Sequence, residues 1–237
     1  MRRIFLLFYL IFFLSCSNSK IIELRILLVS FNKEISPKFF DLIKSHLKEK
    51  YHLKLFAGNV FKLDKNELKK QLKIINKLKA DIFLPGNDIL KCDLKKIRKY
   101  QRICRYPLIF TNPPFDKKVT ILFKPFFMLS LLKFKVRIYN VLDLNAQLNI
   151  SESILGKILD KDVSIIFSDI KEKKVLEKII KFYNNKIYII KDKNIAEPKV
   201  SSFTITVNPY NEIVGEIKIL YDLSEHKILK LEFNEYK

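Results

Sequence analysis

Residues 82–94 read IFLPGNDILKCDL: an apolar run, then Pro-Gly-Asn, then a stretch with helical spacing. The chain has only four glycines, so one placed between a β-like run and a helical one serves a backbone need. Glycine takes angles that other residues avoid and lets neighbouring groups approach closely. A metal site, a phosphate loop and a plain turn all use such a residue, and only the surrounding elements separate them.

Upstream, ELRILLVS (23–30) reads as a buried first strand bounded by the polar FNKEIS. PKFFDLIKSHLKEK (37–50) has helical spacing with Pro37 in the first turn. YHLKLFAGN is a second strand ending at Gly58, and LDKNELKKQLKIINKLKA an amphipathic helix with Leu68, Leu72, Ile75 and Leu78 on one stripe. DIFLPGN is then a third strand, CDLKKIRKYQRIC a helix, and PLIFTN a fourth strand closed by Pro113 and Pro114. This alternation predicts an α/β sheet with helices packed on it.

Beyond residue 118 strands prevail. VTILFKPFFMLSLLKFKVRIYNVLDL holds two β-like runs around a lysine-containing turn, residues 151–160 read as a helix, and DVSIIFSDI as a strand. KEKKVLEKIIKFYNN is helical and KIYIIKD another strand. The end, SSFTITVNPYNEIVGEIKILYD followed by HKILKLEFNEY, predicts antiparallel strands joined at NPYNE and at LSEHK. No internal repeat or linker appears, and the expected organisation is a single domain over residues 23–237.

The formal charge is +20, from 45 basic and 25 acidic residues spread along the chain. Such a field attracts anionic ligands, lipid head groups and acidic protein partners alike. Nucleic acid is not an expected partner, because the basic residues do not cluster and no zinc-finger or RNA-binding signature is present. An ordinary solvated lysine surface accounts for the same composition.

MRRIFLLFYLIFFLSCSNSK has the layout of a secretory signal: two arginines, an apolar run of 11 residues from Ile4 to Leu14, then a polar stretch. That run is short for a membrane span, which needs about 20 residues. Phe-Leu-Ser-Cys resembles a relaxed bacterial lipobox with Cys16 as the lipidated residue, although Phe13 departs from the usual leucine. The expectation is a signal peptide over 1–15, a short tether over 16–22 and attachment to a membrane outside the cytoplasm; an uncleaved N-terminal anchor is the alternative. Cys92 and Cys104 remain, and both a disulfide and two buried free thiols are open.

With the elements in order, four stretches together resemble the 5′-nucleotidase branch of the calcineurin-like metallophosphoesterases. LKLFAGNVFK resembles the family's Ala-Gly-Asp-Val-Phe strand end, ADIFLPGNDILKCDL its Gly-Asn-His-Glu turn, RYPLIFTN its next strand, and FKPFFMLSLLKFKVRIYNVLDL its β-hairpin. DVSIIFSDI and NEIVGEIKILYD follow in collinear order. The resemblance implies an α/β fold, a layered αββα sandwich with mixed sheets, and it makes Gly86-Asn87 the counterpart of a turn that presents ligands at a strand's end. Strand ends are where open sheets place their chemistry.

The family's two-metal mechanism needs oxygen and imidazole ligands around a pair of cations. By the resemblance, the first ligand motif matches Phe31 and Lys33, the bridging aspartate matches Asn59, Asn87 is kept, Asp88 takes the place of a histidine, and Asp169 that of another. The closing histidine pair matches KDKN at 191–194, and His46, His52 and His226 fall outside every motif. No metal or other cofactor is therefore expected, with Lys33 replacing metal charge beside Asp88 or Asp169; one weak Mg²⁺ or Ca²⁺ on Asp88, Asp169 and Asn87 is the alternative. The 5′-nucleotidases also carry a second domain that grips the nucleoside, and the sequence stops before one would begin.

The expected function is a non-catalytic, lipid-anchored envelope protein that uses the fold to bind or to support. The alternative is a residual phosphoesterase or nucleotidase-like hydrolase with a rebuilt site, against which no Ser/His/Asp set and no phosphate loop are visible. An envelope-assembly or transport accessory role has no specific sequence feature.

Overall fold

In the computed structural model, residues 21–111, 123–124, 126–131, 134–142, 162–168, 185–192, 194–208 and 211–237 are described. β1 (Ile21–Asn32) carries alternate side chains into two cores: Leu24, Ile26 and Leu28 into one, Leu27, Val29 and Phe31 into the other. A strand covered on both faces reads as a continuous apolar run, as ILLV does here. β1 also starts at Ile21, so Ile21 and Ile22 belong to the strand and not to the expected tether.

β1, β2 (Leu53–Asn59) and β3 (Ile82–Pro85) run parallel. On the other side of β1, β10 (Ile213–Asp222) and β11 (Lys227–Tyr236) add antiparallel strands, giving the order β11-β10-β1-β2-β3. The second sheet contains β4 (Phe127–Leu131), β5 (Phe134–Val141), β6 (Val163–Ser168), β7 (Asn185–Lys191), β8 (Lys199–Ser201) and β9 (Thr204–Val207), in the order β4-β5-β6-β7-β9-β8. β5, β6, β7 and β9 are parallel, with antiparallel edges at β4 and β8. The sheets pack face to face through Ile26, Leu55, Ile138, Ile165 and Ile189, each such side chain contributing roughly 1.5–3 kcal/mol when fully buried.

Helices cover the outer face of the first sheet. α1 (Pro37–His46) starts where Ser36 Oγ accepts from the Phe39 N–H, with proline in the first turn. It stops short of the expected Lys50, because Glu49 turns back to pair with Arg25 at 2.7 Å and Lys48–Lys50 holds nothing apolar to bury. α2 (Lys65–Lys77) is capped by Asp64 and buries the expected stripe of Leu68, Leu72 and Ile75, with Leu78 at its end. α3 (Leu94–Gln101) is capped by Asp93.

Two expectations are corrected. PLIFTN forms no extended ladder: Leu108 and Ile109 make single parallel bridges to Phe83 and Lys124, so the segment pairs with β3 at one residue only. NPYNE does not join a hairpin, since β9 pairs with β7 in the second sheet whereas β10 lies between β1 and β11 in the first. Ten buried or half-buried residues suit β10 to an interior position, and alternation alone does not say beside which strand. The β4–β5 and β10–β11 hairpins stand as expected. The helices expected at 151–160 and 171–185 lie almost wholly outside the described residues. No described helix is long and apolar enough to cross a membrane.

The C-terminal ends of the two sheets meet at one rim. Asn140 Nδ2, near the end of β5, donates to the carbonyls of Pro85 at 2.9 Å and Ile109 at 3.0 Å. The backbone N–H of Asn140 donates to Thr111 Oγ1 at 2.9 Å.

Candidate functional site

Parallel register sets Phe31 beside Gly58, Asn32 beside Asn59, and Gly58 beside Pro85. The residues singled out in the first three strands thus gather at one edge. Phe31 faces the helix layer, 1% exposed, its ring 6.3 Å from that of Phe83. A Cβ on Gly58 would meet the Phe31 carbonyl oxygen at 2.8 Å and its ring at 3.0 Å, so glycine admits this aromatic packing.

The opening question about Gly86 has a geometric answer. A Cβ at this position would fall on the Asn59 amide, and the Gly86 N–H donates to the Gly58 carbonyl at 3.0 Å. Gly86 has φ −83°, an angle open to any residue, so close approach and not a left-handed backbone requires it. Asn59 Nδ2 reaches Asn32 Oδ1 at 3.5 Å, a side chain that sequence reasoning passed over.

After Gly86 the chain makes a single 3₁₀ turn, Asn87–Lys91. Asp88, 2% exposed, turns back toward the loop after β2, where its Oδ2 accepts from the N–H groups of Phe61 and of Lys62, the latter at 3.1 Å. Its Oδ1 and the Oδ1 of Asn87 are buried without a hydrogen-bond partner among the described residues. Burial pushes the Asp88 carboxyl up to about 6, while the two backbone donors, Lys191 and Lys62 pull it down.

Lys33, expected beside Asp88 or Asp169, is exposed whereas Asp88 is buried, so the pairing with Asp88 is not formed; Asp169 lies outside the described residues. β1 ends at Asn32, and Lys33 adopts φ 71° and points to solvent. The cations whose charge acts on Asp88 are Lys191 and Lys62. Lys191 closes β7, is 5% exposed, and holds its Nζ 4.8 Å from the centre of the Phe167 ring. It opens the KDKN segment, which carries no histidine. A lysine ending the buried run IYII was the available signal.

Asp169 and Cys16 lie outside the described residues. The three histidines stand away from the rim: His46 stacks on Tyr236 at 3.7 Å, His52 Nδ1 accepts from the Arg25 N–H, and His226 sits in the β10–β11 turn. Cys92 and Cys104 are free thiols, donating to the carbonyls of Phe61 and Tyr100. Among the described residues no three His, Cys, Asp or Glu side chains converge as a metal site.

The fold is that of the calcineurin-like phosphoesterases and 5′-nucleotidases. The chain superposes on NAD nucleotidase of Haemophilus influenzae with a TM-score of 0.59 at 13% identity, over 92% of this chain and 50% of that one. A 5′-nucleotidase assigned in Staphylococcus aureus gives 0.63 at 10% identity, over 89% and 54%. A calcineurin-like phosphoesterase of Bacillus subtilis gives 0.59 at 12% identity, over 91% of both chains. This chain spans about half the length of the nucleotidases it resembles. No protein-family model and no curated protein matches the sequence.

Proposed function

We propose that this chain is a non-catalytic member of the phosphoesterase fold, tethered through lipid on Cys16 to a membrane outside the cytoplasm, and that its rim binds or supports instead of hydrolysing. The observation that carries this reading is Phe31, a ring packed in the helix-side core where the resemblance puts the first metal ligand. An aromatic ring offers no oxygen or imidazole donor. Asn59 is neutral, with its amide oxygen against Gly86, and one Asp88 oxygen is taken by two backbone N–H groups. This donor set does not fit a pair of divalent ions, which needs several hard or imidazole ligands around both.

A second reading, a hydrolase with one rebuilt cation site, draws on two buried acceptors. Asn87 Oδ1 and Asp88 Oδ1 lack partners among the described residues, and buried oxygens without donors suit a hard cation. The nucleotidase and phosphoesterase names of the similar structures favour it as well.

Metal content of the purified chain, with turnover of bis(p-nitrophenyl) phosphate with and without Mn²⁺, separates the two. No stoichiometric metal and no turnover above a buffer control is the expected result. One or more stoichiometric ions per chain, with turnover lost in Asn87→Ala, would overturn the proposal. Palmitate labelling tests the tether: it is expected in the native chain and absent from Cys16→Ser, and equal labelling of both would remove Cys16 as the anchor.

A further inference from the structure

In sequence the basic residues are spread along the chain, and the fold gathers a group of them at one end. β1 begins at Ile21, and the parallel strands β2 and β3 begin at the same end of the sheet. Each helix runs back against the strands, so α1, α2 and α3 all finish there. Asn76 joins two of them: its Nδ2 donates to the Ile103 carbonyl at 2.7 Å, and its Oδ1 accepts from the Arg105 N–H at 2.9 Å. This sets Lys77 and Lys79 alongside Arg102 and Arg105, and Lys48 and Lys50 follow the end of α1.

All six cations are exposed, and none makes an ion pair among the described residues. The acids beside them, Glu49 and Asp81, are engaged already, by Arg25 and by the Lys54 N–H. Glu23 on β1 is exposed as well and leaves the excess positive. Lys48, Lys50, Lys79 and Arg105 stand past the helix ends, outside the last turn in which a cation complements the helix dipole.

We propose that this end of the domain docks on an anionic lipid surface, with the rim of Phe31, Asn59 and Asp88 turned away from it. The inference rests on the tether of the functional reading and names the face that the tether brings to the membrane. The chain enters the domain at Ile21, at this same end, and Ile21 is 52% exposed. A lipid anchor gains from a polybasic patch beside it, and each basic residue near an anionic surface contributes about fivefold in affinity. No exposed Phe or Tyr stands among the six cations, so unpaired bases find no stacking platform there.

The test uses the full chain with Cys16→Ser, so that lipid on Cys16 contributes nothing, and vesicles of phosphatidylcholine alone or mixed equally with phosphatidylglycerol. The apolar N-terminus contributes alike to both. The anionic vesicles are expected to be bound at least about tenfold more tightly. Lys77→Glu, Arg102→Glu and Arg105→Glu together are expected to remove at least about tenfold of binding to them. Lys65→Glu, Lys69→Glu and Lys95→Glu change the net charge equally in the first halves of α2 and α3, and are expected to bind within about threefold of the parent. Equal losses in the two triple variants, or no preference for anionic vesicles, would overturn the proposal. Duplex DNA bound more tightly than the anionic vesicles at the same salt would also overturn it, with nucleic acid as the partner.

If the first triple variant does not fold, orientation decides. Bimane is placed on Lys77→Cys or on Lys65→Cys, about 18 Å apart along α2, in the Cys16→Ser, Cys92→Ala, Cys104→Ala background. Nitroxide head groups in the anionic vesicles are expected to quench the first more strongly, and equal quenching would overturn the proposal. Failure of the functional reading looks different: palmitate would miss Cys16, or the native chain would hold metal and turn over substrate, with the vesicle preference unchanged.

Discussion

The side-chain oxygen of Asn59 stands 1.9 Å from where a Cβ on Gly86 would be. The ends of β2 and β3 are thus closed on each other by the absence of one methyl group. Gly86→Ala is expected to cost about 1–3 kcal/mol, as overpacking in a filled interior does. Asn59→Ala removes the obstructing amide, so the double variant is expected to recover most of that loss. Urea unfolding of the four proteins measures this as a coupling between neighbours.

Arg25 ties α1 to the first sheet. Its Nε pairs with Glu216 and its Nη2 with Glu49 at 2.7 Å, and the Glu216 side chain is only 4% exposed. Tyr236 Oη also approaches Glu216, at 3.4 Å, and meets Tyr51 Oη at 3.2 Å. Arg25→Ala leaves Glu216 without its guanidinium and is expected to cost about 3 kcal/mol. Glu216→Gln in the Arg25→Ala background is expected to restore part of it, checked by thermal unfolding.

Asp88 sets a pH dependence of unusual sign for a carboxylate. Its folded-state value is raised by burial from 3.8 to about 6, so the folded protein holds this proton more tightly than the unfolded chain. The associated stability is fully present below about pH 4 and is lost as pH rises through about 6. Over that window the native chain is expected to lose about 2–3 kcal/mol relative to Asp88→Asn. Glu49 and Asp222 are lowered by Arg25 and by the backbone donors of the β10–β11 turn and act oppositely, so the comparison must be with Asp88→Asn.

The two thiols in the first half of the domain are expected to be inert. Burial raises Cys92 and pushes Cys104 up to about 11, and thiolate is the reactive form. Ellman's reagent near neutral pH is expected to modify Cys104 at least about a hundredfold more slowly in the folded protein than in urea. Equal rates would show the thiols to be accessible.

Much of the first sheet was legible from local pattern. The α2 stripe of Leu68, Leu72, Ile75 and Leu78, the proline that opens α1 and the doubly buried run of β1 all lie in short windows. Periodicity reports which face of an element is buried, and it does so within a few turns of chain. The β10–β11 hairpin was legible for the same reason, its strands being joined by a short turn.

What an element packs against is decided elsewhere in the chain. Alternation marked β9 and β10 as strands, but only the assembled sheets show that β10 has crossed to lie beside β1. The site divides in the same way. The sequence by itself determined that Phe31, Asn59 and Asp88 stand where the resemblance puts metal ligands, because side-chain identity is local. Only the tertiary structure decided that Lys33 faces water and that Asp88 is buried against the N–H groups of Phe61 and Lys62. Burial acts through space, and the fold sets the turn after β3 against the loop after β2 with no trace in the spacing of their residues.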